Sequence, residues 1–178
     1  VMHDANDIRE VNDLGIYEGV HLQANHHAVE ADLLIGLSAL RLDDLLRDAG
    51  SSATVTFDLG AATTQHELRG SRFVDDRLSP YRDGDALFDR VVREGARRAG
   101  LVFTIDLLLD EHGVAVAVKA GSPQAVNNEL VLMAHTLREA GARFPADMLV
   151  ADVGPADFYA ASQAAINIGL TPDSALVR

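Results

Sequence analysis

Nine consecutive residues, Leu101 to Leu109, contain only two polar side chains, Thr104 and Asp106. A run this rich in Leu, Val, Ile and Phe reads as a strand that other elements must cover. Asp110-Glu111-His112-Gly113 follows as a turn with a glycine, and Val114, Val116 and Val118 then alternate with alanines. The pattern predicts a β-hairpin with a three-to-four-residue loop. A helix runs into the hairpin and ends at Gly100, and another leaves at Ser122-Pro123, where serine suits the N-cap and proline the first turn. Helix, hairpin, helix is a packing unit, and the residues alone read as α/β or α+β.

The remainder of the chain supplies the other layers. Residues 1–12 are polar and begin with His3-Asp4, and Gly15 and Gly19 bracket a turn. Val20 to Gln23 reads as a short strand, 25–30 as a helical turn or loop, and 31–37 as a buried strand. Leu42, Leu45, Leu46 and Ala49 fall at helical spacing, closed by Gly50. Val55, Phe57 and Leu59 alternate with Thr54, Thr56 and Asp58, which predicts a strand with one wet face. Residues 61–81 read mostly as loop. Asp85 suits the cap of a helix whose face is Leu87, Phe88, Val91, Val92 and Ala99, with Asp89, Arg90, Arg93, Glu94 and Arg97 as its solvated side. Val126, Leu130, Met133, Ala134 and Leu137 form the stripe of a helix ending at Gly141. After a linker at 142–145, strand, helix and strand over 148–177 predict the opening βαβ unit of a second α/β domain. The expected division is 1–143 and 146–178, both as pieces of a longer protein.

A chain of 178 residues is long enough to bury roughly 70% of its unfolded surface. The net charge of −12 argues against a nucleic-acid footprint, which needs a basic stripe. No run of about 18 apolar residues marks a membrane span. With no cysteine, disulfides and thiolate metal sites are excluded, and a cytoplasmic location is the expectation. Basic charge rests on fourteen arginines and a single lysine, Lys119. Any mechanism that needs an amine has only that side chain.

Phosphate-loop, nucleophile-elbow, HExxH and EF-hand patterns are absent. His21, His26 and His27 lie close in sequence, yet neighbouring residues on regular structure point apart, so they read as surface or loop histidines rather than ligands. The Asp43-Asp44 and Asp75-Asp76 pairs read as surface charges, and His135 as structural. Asp106 interrupts an apolar strand, and so either faces the wet side of the sheet or pairs with an arginine.

Four stretches in order resemble the nickel-pincer lactate racemase family. These are His3-Asp4 with Asp13-Leu14-Gly15, Gly19, Asn25 and 30–36; then 99–110; then 118–125; and finally 146–151 with 158–165. The resemblance implies an α/β fold, a mixed sheet with flanking helices. It also implies racemisation or epimerisation of a small 2-hydroxy acid by hydride transfer to a nickel-pincer nucleotide. By the same resemblance His3 stands at the position of a catalytic histidine that takes the hydroxyl proton. The family tethers its cofactor to a lysine in a glycine-rich loop after the strand matching 31–36. Here Ala49-Gly50-Ser51-Ser52 echoes that loop, and Thr56 stands about where the lysine would be. His66 is out of register with the nickel-ligating histidine, and Ala160 and Gln163 stand where the family has Gln and Lys. The alternative reading is therefore a catalytically inactive paralogue that binds a small hydroxy or sugar acid, or that serves as a partner subunit, with homo-oligomerisation open.

Overall fold

The computed structural model describes residues 3–40, 50–70, 87–110 and 112–138. The chain divides into two compact units, Val1–Ala134 and His135–Arg178; both sheets and the buried core lie in the first. The expected βαβ unit over 148–177 and the helical stripe at 42–49 lie outside the described residues, as does Asp85.

A 3-10 turn at Ile8–Glu10 leads into β1 (Val11–Tyr17), which pairs antiparallel with β2 (Val20–Asn25). Glu18 and Gly19 join them at φ 48° and 74°, the left-handed turn whose twist matches that of paired strands. The turn α1 (His26–Val29) is capped by the Asn25 side chain, which accepts from the His27 N–H. β3 (Leu34–Ala39) follows. The short helix α2 (Ser51–Ala53) then continues into a π-helical turn at Thr54–Asp58, and α3 (Ala62–Leu68) comes next. α4 (Leu87–Arg98), β4 (Leu101–Leu109), β5 (Ala115–Gly121) and α5 (Pro123–Arg138) complete the order. β3 runs parallel to β4, and β5 returns antiparallel against it. The fold is mixed α/β, with a three-stranded mixed sheet flanked by helices.

Amphipathic helices build the core. Phe88, Val91 and Val92 of α4 pack on Val20, Leu22, Ala53, Phe57 and Leu68. One turn on, Ala96 and Ala99 meet Ala24, Val55 and Leu101. Val126, Leu130 and Ala134 of α5 cover Leu40 and Leu108 on the sheet, whereas Met133 sits at the margin of that stripe, 36% exposed. Each fully buried large apolar side chain contributes about 1.5–3 kcal/mol relative to exposure. The other face of the sheet presents Ile35, Leu37, Phe103 and Val118 to the outside. Among the described residues no helix is long and apolar enough to cross a membrane.

Three local expectations are corrected. The strand expected over 54–59 is helical: Val55, Thr56 and Phe57 are buried in succession, held between α4 and β2, so a period-two alternation with one wet face has no surface to act on. Packing overrides the β-propensity of Thr-Val-Thr-Phe. Within the stretch expected to be loop, 62–68 is helix α3. Its buried face includes Thr64, whose hydroxyl donates to the His21 carbonyl (2.7 Å) and accepts from the Gln23 N–H (3.0 Å). A polar residue at a core position hides the apolar stripe. β1 runs from the end of the polar lead through Gly15, so the turn expected between Gly15 and Gly19 narrows to Glu18-Gly19; the Leu14 carbonyl of β1 accepts from Arg98 at 2.8 Å.

Candidate functional site

The first turn of α2 lies directly on the sheet. A Cβ built on Gly36 of β3 would sit 2.4 Å from both Cβ and Oγ of Ser51, so only glycine permits this approach. From the neighbouring strand Asp106 meets the same serine. The Ser51 N–H donates to Oδ2 at 3.3 Å, the Ser51 hydroxyl donates to Oδ1 in a short bond, and Thr104 Oγ1 donates to Oδ2 at 3.1 Å. Asp106 is 1% exposed, so it does not face the wet side of the sheet, and among the described residues no arginine pairs with it. Three donors on its own and adjoining elements satisfy it instead, as a buried carboxylate requires. Lys119 stands directly across the ladder from Asp106, but its Nζ lies 2.7 Å from Glu129 of α5 in a partly exposed ion pair.

The π-helical turn directs Thr56 inward. It is 2% exposed, and its Oγ1 donates to the Val92 carbonyl at 2.8 Å. Gly95 of α4 faces it so closely that a Cβ there would fall 2.5 Å from Thr56 Cγ2 and 2.7 Å from Oγ1. A glycine inside a helix costs about 1 kcal/mol relative to alanine; here it permits the helix to close on Thr56. Such π turns concentrate at functional sites.

His3 is bracketed on both ring nitrogens. Nδ1 lies 3.0 Å from Asn25 Nδ2, and Nε2 lies 3.0 Å from the Gly60 carbonyl. Asn25 has its Oδ1 committed to the His27 N–H, which orients its amide nitrogen toward His3. Nδ1 therefore accepts, and Nε2 carries the hydrogen and donates to Gly60. His26 and His27, expected to point apart, instead bring their rings to 3.9 Å on the short turn α1. The His26 ring nitrogen Nδ1 lies 3.1 Å from the Glu10 carbonyl, and His21 Nε2 lies 3.0 Å from Asp13. His66 is exposed on α3. Among the described residues no group of three or more potential ligands gathers that could hold a metal. Asp43, Asp44, Asp75, Asp76, Ala160 and Gln163 lie outside the described residues, as does the His135 side chain.

A cleft opens elsewhere in the same unit. Arg90, Arg93 and Arg97 of α4 and Ser122, Pro123 and Gln124 are among its lining, around a volume of about 440 Å³. Arg90, Arg93 and Glu94 are half-buried rather than on a fully solvated face, a correction to the helical pattern. Hydrogen bonds from Arg97 and Arg98 hold the Glu94 carboxyl down at about 2. Sequence reasoning gave Thr104 and Gly95 no role, and it reached Ser51 only as part of the loop echo, not as the partner of Asp106. The available signal was the pair of glycines, 36 and 95, inside otherwise regular strand and helix patterns.

No family model and no curated protein matches the chain. Among solved structures it is similar to the lactate racemase apoprotein from Thermoanaerobacterium thermosaccharolyticum, with a TM-score of 0.65 and 20% identity over 75% of this chain. The likeness shows a related fold. This chain spans 32% of that protein's length.

Proposed function

We propose that this chain is part of a lactate racemase-like protein that binds a small 2-hydroxy acid without a lysine-tethered nickel-pincer nucleotide. In this reading 1–143 belongs to the racemase-like N-terminal domain and 146–178 opens the C-terminal one. One observation carries it. Thr56, which the family resemblance sets about where the tethering lysine would stand, is a core residue packed against Gly95. The residues present do not fit a cofactor anchored at that position, and the only lysine is paired with Glu129. No reaction step is therefore routed through such a group.

His3 is the residue we assign to the acid's hydroxyl. Its tautomer supports binding over proton removal: Nδ1 already accepts from Asn25, and Nε2 is a donor. A general base needs a free acceptor lone pair within reach of the hydroxyl. Racemisation or epimerisation by hydride transfer to a nickel-pincer nucleotide is the rival reading, supported by the likeness to lactate racemase.

The experiment uses the full chain, titrated with D- and L-lactate by calorimetry and assayed for their interconversion with nickel content measured alongside. Saturable binding weakened about tenfold by His3→Ala, with no interconversion, is the expected result; loss of one hydrogen bond to a ligand is of this size. Interconversion accompanied by stoichiometric nickel would overturn the binding reading in favour of catalysis. Absence of lactate binding would remove both.

A further inference from the structure

Among the described residues, the sheet of β3, β4 and β5 carries helices on one face. There α5 covers Leu40 and Leu108, and α2 lies on Gly36. The opposite face is apolar and open: Ile35, Leu37, Phe103, Val116 and Val118 are exposed, from 40% at Phe103 to 71% at Leu37. We propose that this outer face is a two-fold interface between two copies of this chain. The proposal does not rest on the hydroxy-acid reading, which concerns His3 and Thr56.

Strand register gathers these side chains into one patch. Ile35 stands beside Phe103 and Leu37 beside Ile105 across the parallel pair, and Leu107 stands beside Val118 across the antiparallel one. The alternate positions of β5 point the other way: Ala117 packs against the cluster under α5, and Lys119 pairs with Glu129 of that helix. No charged side chain therefore interrupts the outer face, where a strand with one wet face would alternate polar residues outward. A sheet containing a parallel pair is ordinarily covered on both faces. Monomers rarely expose an apolar patch larger than about 300–600 Å² unless it meets a partner.

Area, width and charge select a second copy as that partner. A large side chain offers on the order of 200 Å², so the five exposed residues, with the open margins of Ile105 and Leu107, present roughly 600 Å² per chain. Two copies would bury about 1,200 Å² together, the lower end of what a specific dimer needs. Three strands about 4.8 Å apart make a face roughly 14 Å wide, wider than a single helix of about 10 Å. The inner face accordingly takes both α5 and α2, whereas a second twisted sheet covers all three strands at once in aligned packing. A two-fold axis also sets each patch against itself. Only an uncharged face tolerates that in a chain of net charge −12, because its acidic groups stay outside the contact.

Sedimentation equilibrium of the full chain from about 1 to 100 µM is the test, and a monomer–dimer equilibrium in the micromolar range is expected. Leu37→Lys should weaken it about a hundredfold or more, because the two-fold brings two ammoniums into one apolar contact. Val118→Thr keeps a β-branched strand former and should weaken it about tenfold by burying a hydroxyl in each copy. That variant remains readable if Leu37→Lys fails to fold. Ile8→Lys, at an apolar residue 83% exposed outside the sheet, should leave the dimer unchanged. Added salt should tighten association, since it screens the repulsion between two acidic chains. A monomer throughout the range, an equal loss in Ile8→Lys, or a dimer that salt loosens would each overturn the proposal. A monomer that instead takes up a leucine-rich amphipathic peptide, lost in Leu37→Lys, would overturn it in favour of a helical partner.

Discussion

Gly95→Ala tests the packing on which the functional reading depends. In an exposed helix the substitution would stabilise by about 1 kcal/mol. Here the new methyl would meet Thr56 Cγ2 at 2.5 Å and Oγ1 at 2.7 Å, whereas carbon atoms rest at about 3.5–4.0 Å. Roughly an ångström must be found between two anchored elements, because Thr56 is hydrogen-bonded to Val92 on the same helix. Overpacking of this kind costs about 1–3 kcal/mol, and anchoring on both sides argues for the upper end. The net expectation is destabilisation of about 2 kcal/mol. Thr56→Ala removes both clashing atoms and leaves only Cβ, at 3.2 Å from the new methyl. In that background Gly95→Ala should be neutral or stabilising by up to about 1 kcal/mol. The cycle should therefore show a coupling of about 2–3 kcal/mol, at the upper end for residues in direct contact. Urea unfolding followed by far-ultraviolet circular dichroism measures all four corners, with the slopes compared to confirm that the denatured state is unchanged. Equal stabilisation by Gly95→Ala in both backgrounds would refute the packing, and with it the argument that position 56 is closed.

Asp106→Ala leaves the Ser51 N–H, the Ser51 hydroxyl and the Thr104 hydroxyl without their acceptor. It should cost about 3 kcal/mol or more by urea unfolding; a cost under about 0.5 kcal/mol would mean that those donors find other partners. The Glu94 carboxyl titrates at about 2 in the folded chain against an ordinary 4.5, held down by Arg97 and then Arg98. The unfolded state takes up protons first, so this stabilisation is complete above about 4.5 and is lost as pH falls toward 2. Glu94→Gln should flatten the thermal midpoint against pH over that window, and an unaltered profile would refute the assignment. Thr56→Lys should lower stability by several kcal/mol, the effective cost of enclosing an ammonium; a folded variant whose new amine reacts freely with an acylating reagent would show position 56 to be open.

How much of this was legible depends on where each element gets its stability. The hairpin of β4 and β5 and the helices around it could be read because local signals agree: a nine-residue apolar strand, a turn with glycine at φ 76°, and Ser-Pro ahead of a helix. The buried face of α4 was legible for the same reason. The turn at Thr54–Asp58 was not, since its residues favour strands individually and become helical only between α4 and β2. Nor was α3, where Thr64 occupies a core position through hydrogen bonds to backbone 41 and 43 residues away in sequence. Asp106 was singled out correctly as exceptional, but its partner Ser51 lies 55 residues earlier, beyond any local pattern. His3 was placed by resemblance, and its two hydrogen bonds, to Asn25 and Gly60, again span long separations.

These long-range pairings bear on whether position 56 could hold a lysine. A surface lysine replaced by threonine could be restored by one substitution. Thr56 belongs to a different case, because its neighbours are adapted to it: the helix facing it carries glycine at 95, and the Val92 carbonyl accepts its hydroxyl. A lysine side chain at 56 would need Gly95, Val92 and the π-helical turn to yield together. Meanwhile the start of the same helical segment is fastened to the sheet through Gly36, Ser51 and Asp106, which leaves little freedom to rotate residue 56 outward. Anchoring chemistry at this position is thus opposed by several mutually dependent contacts, while the surrounding α/β frame is stabilised by those same contacts. A related fold and a position 56 closed to a lysine follow from one set of interactions.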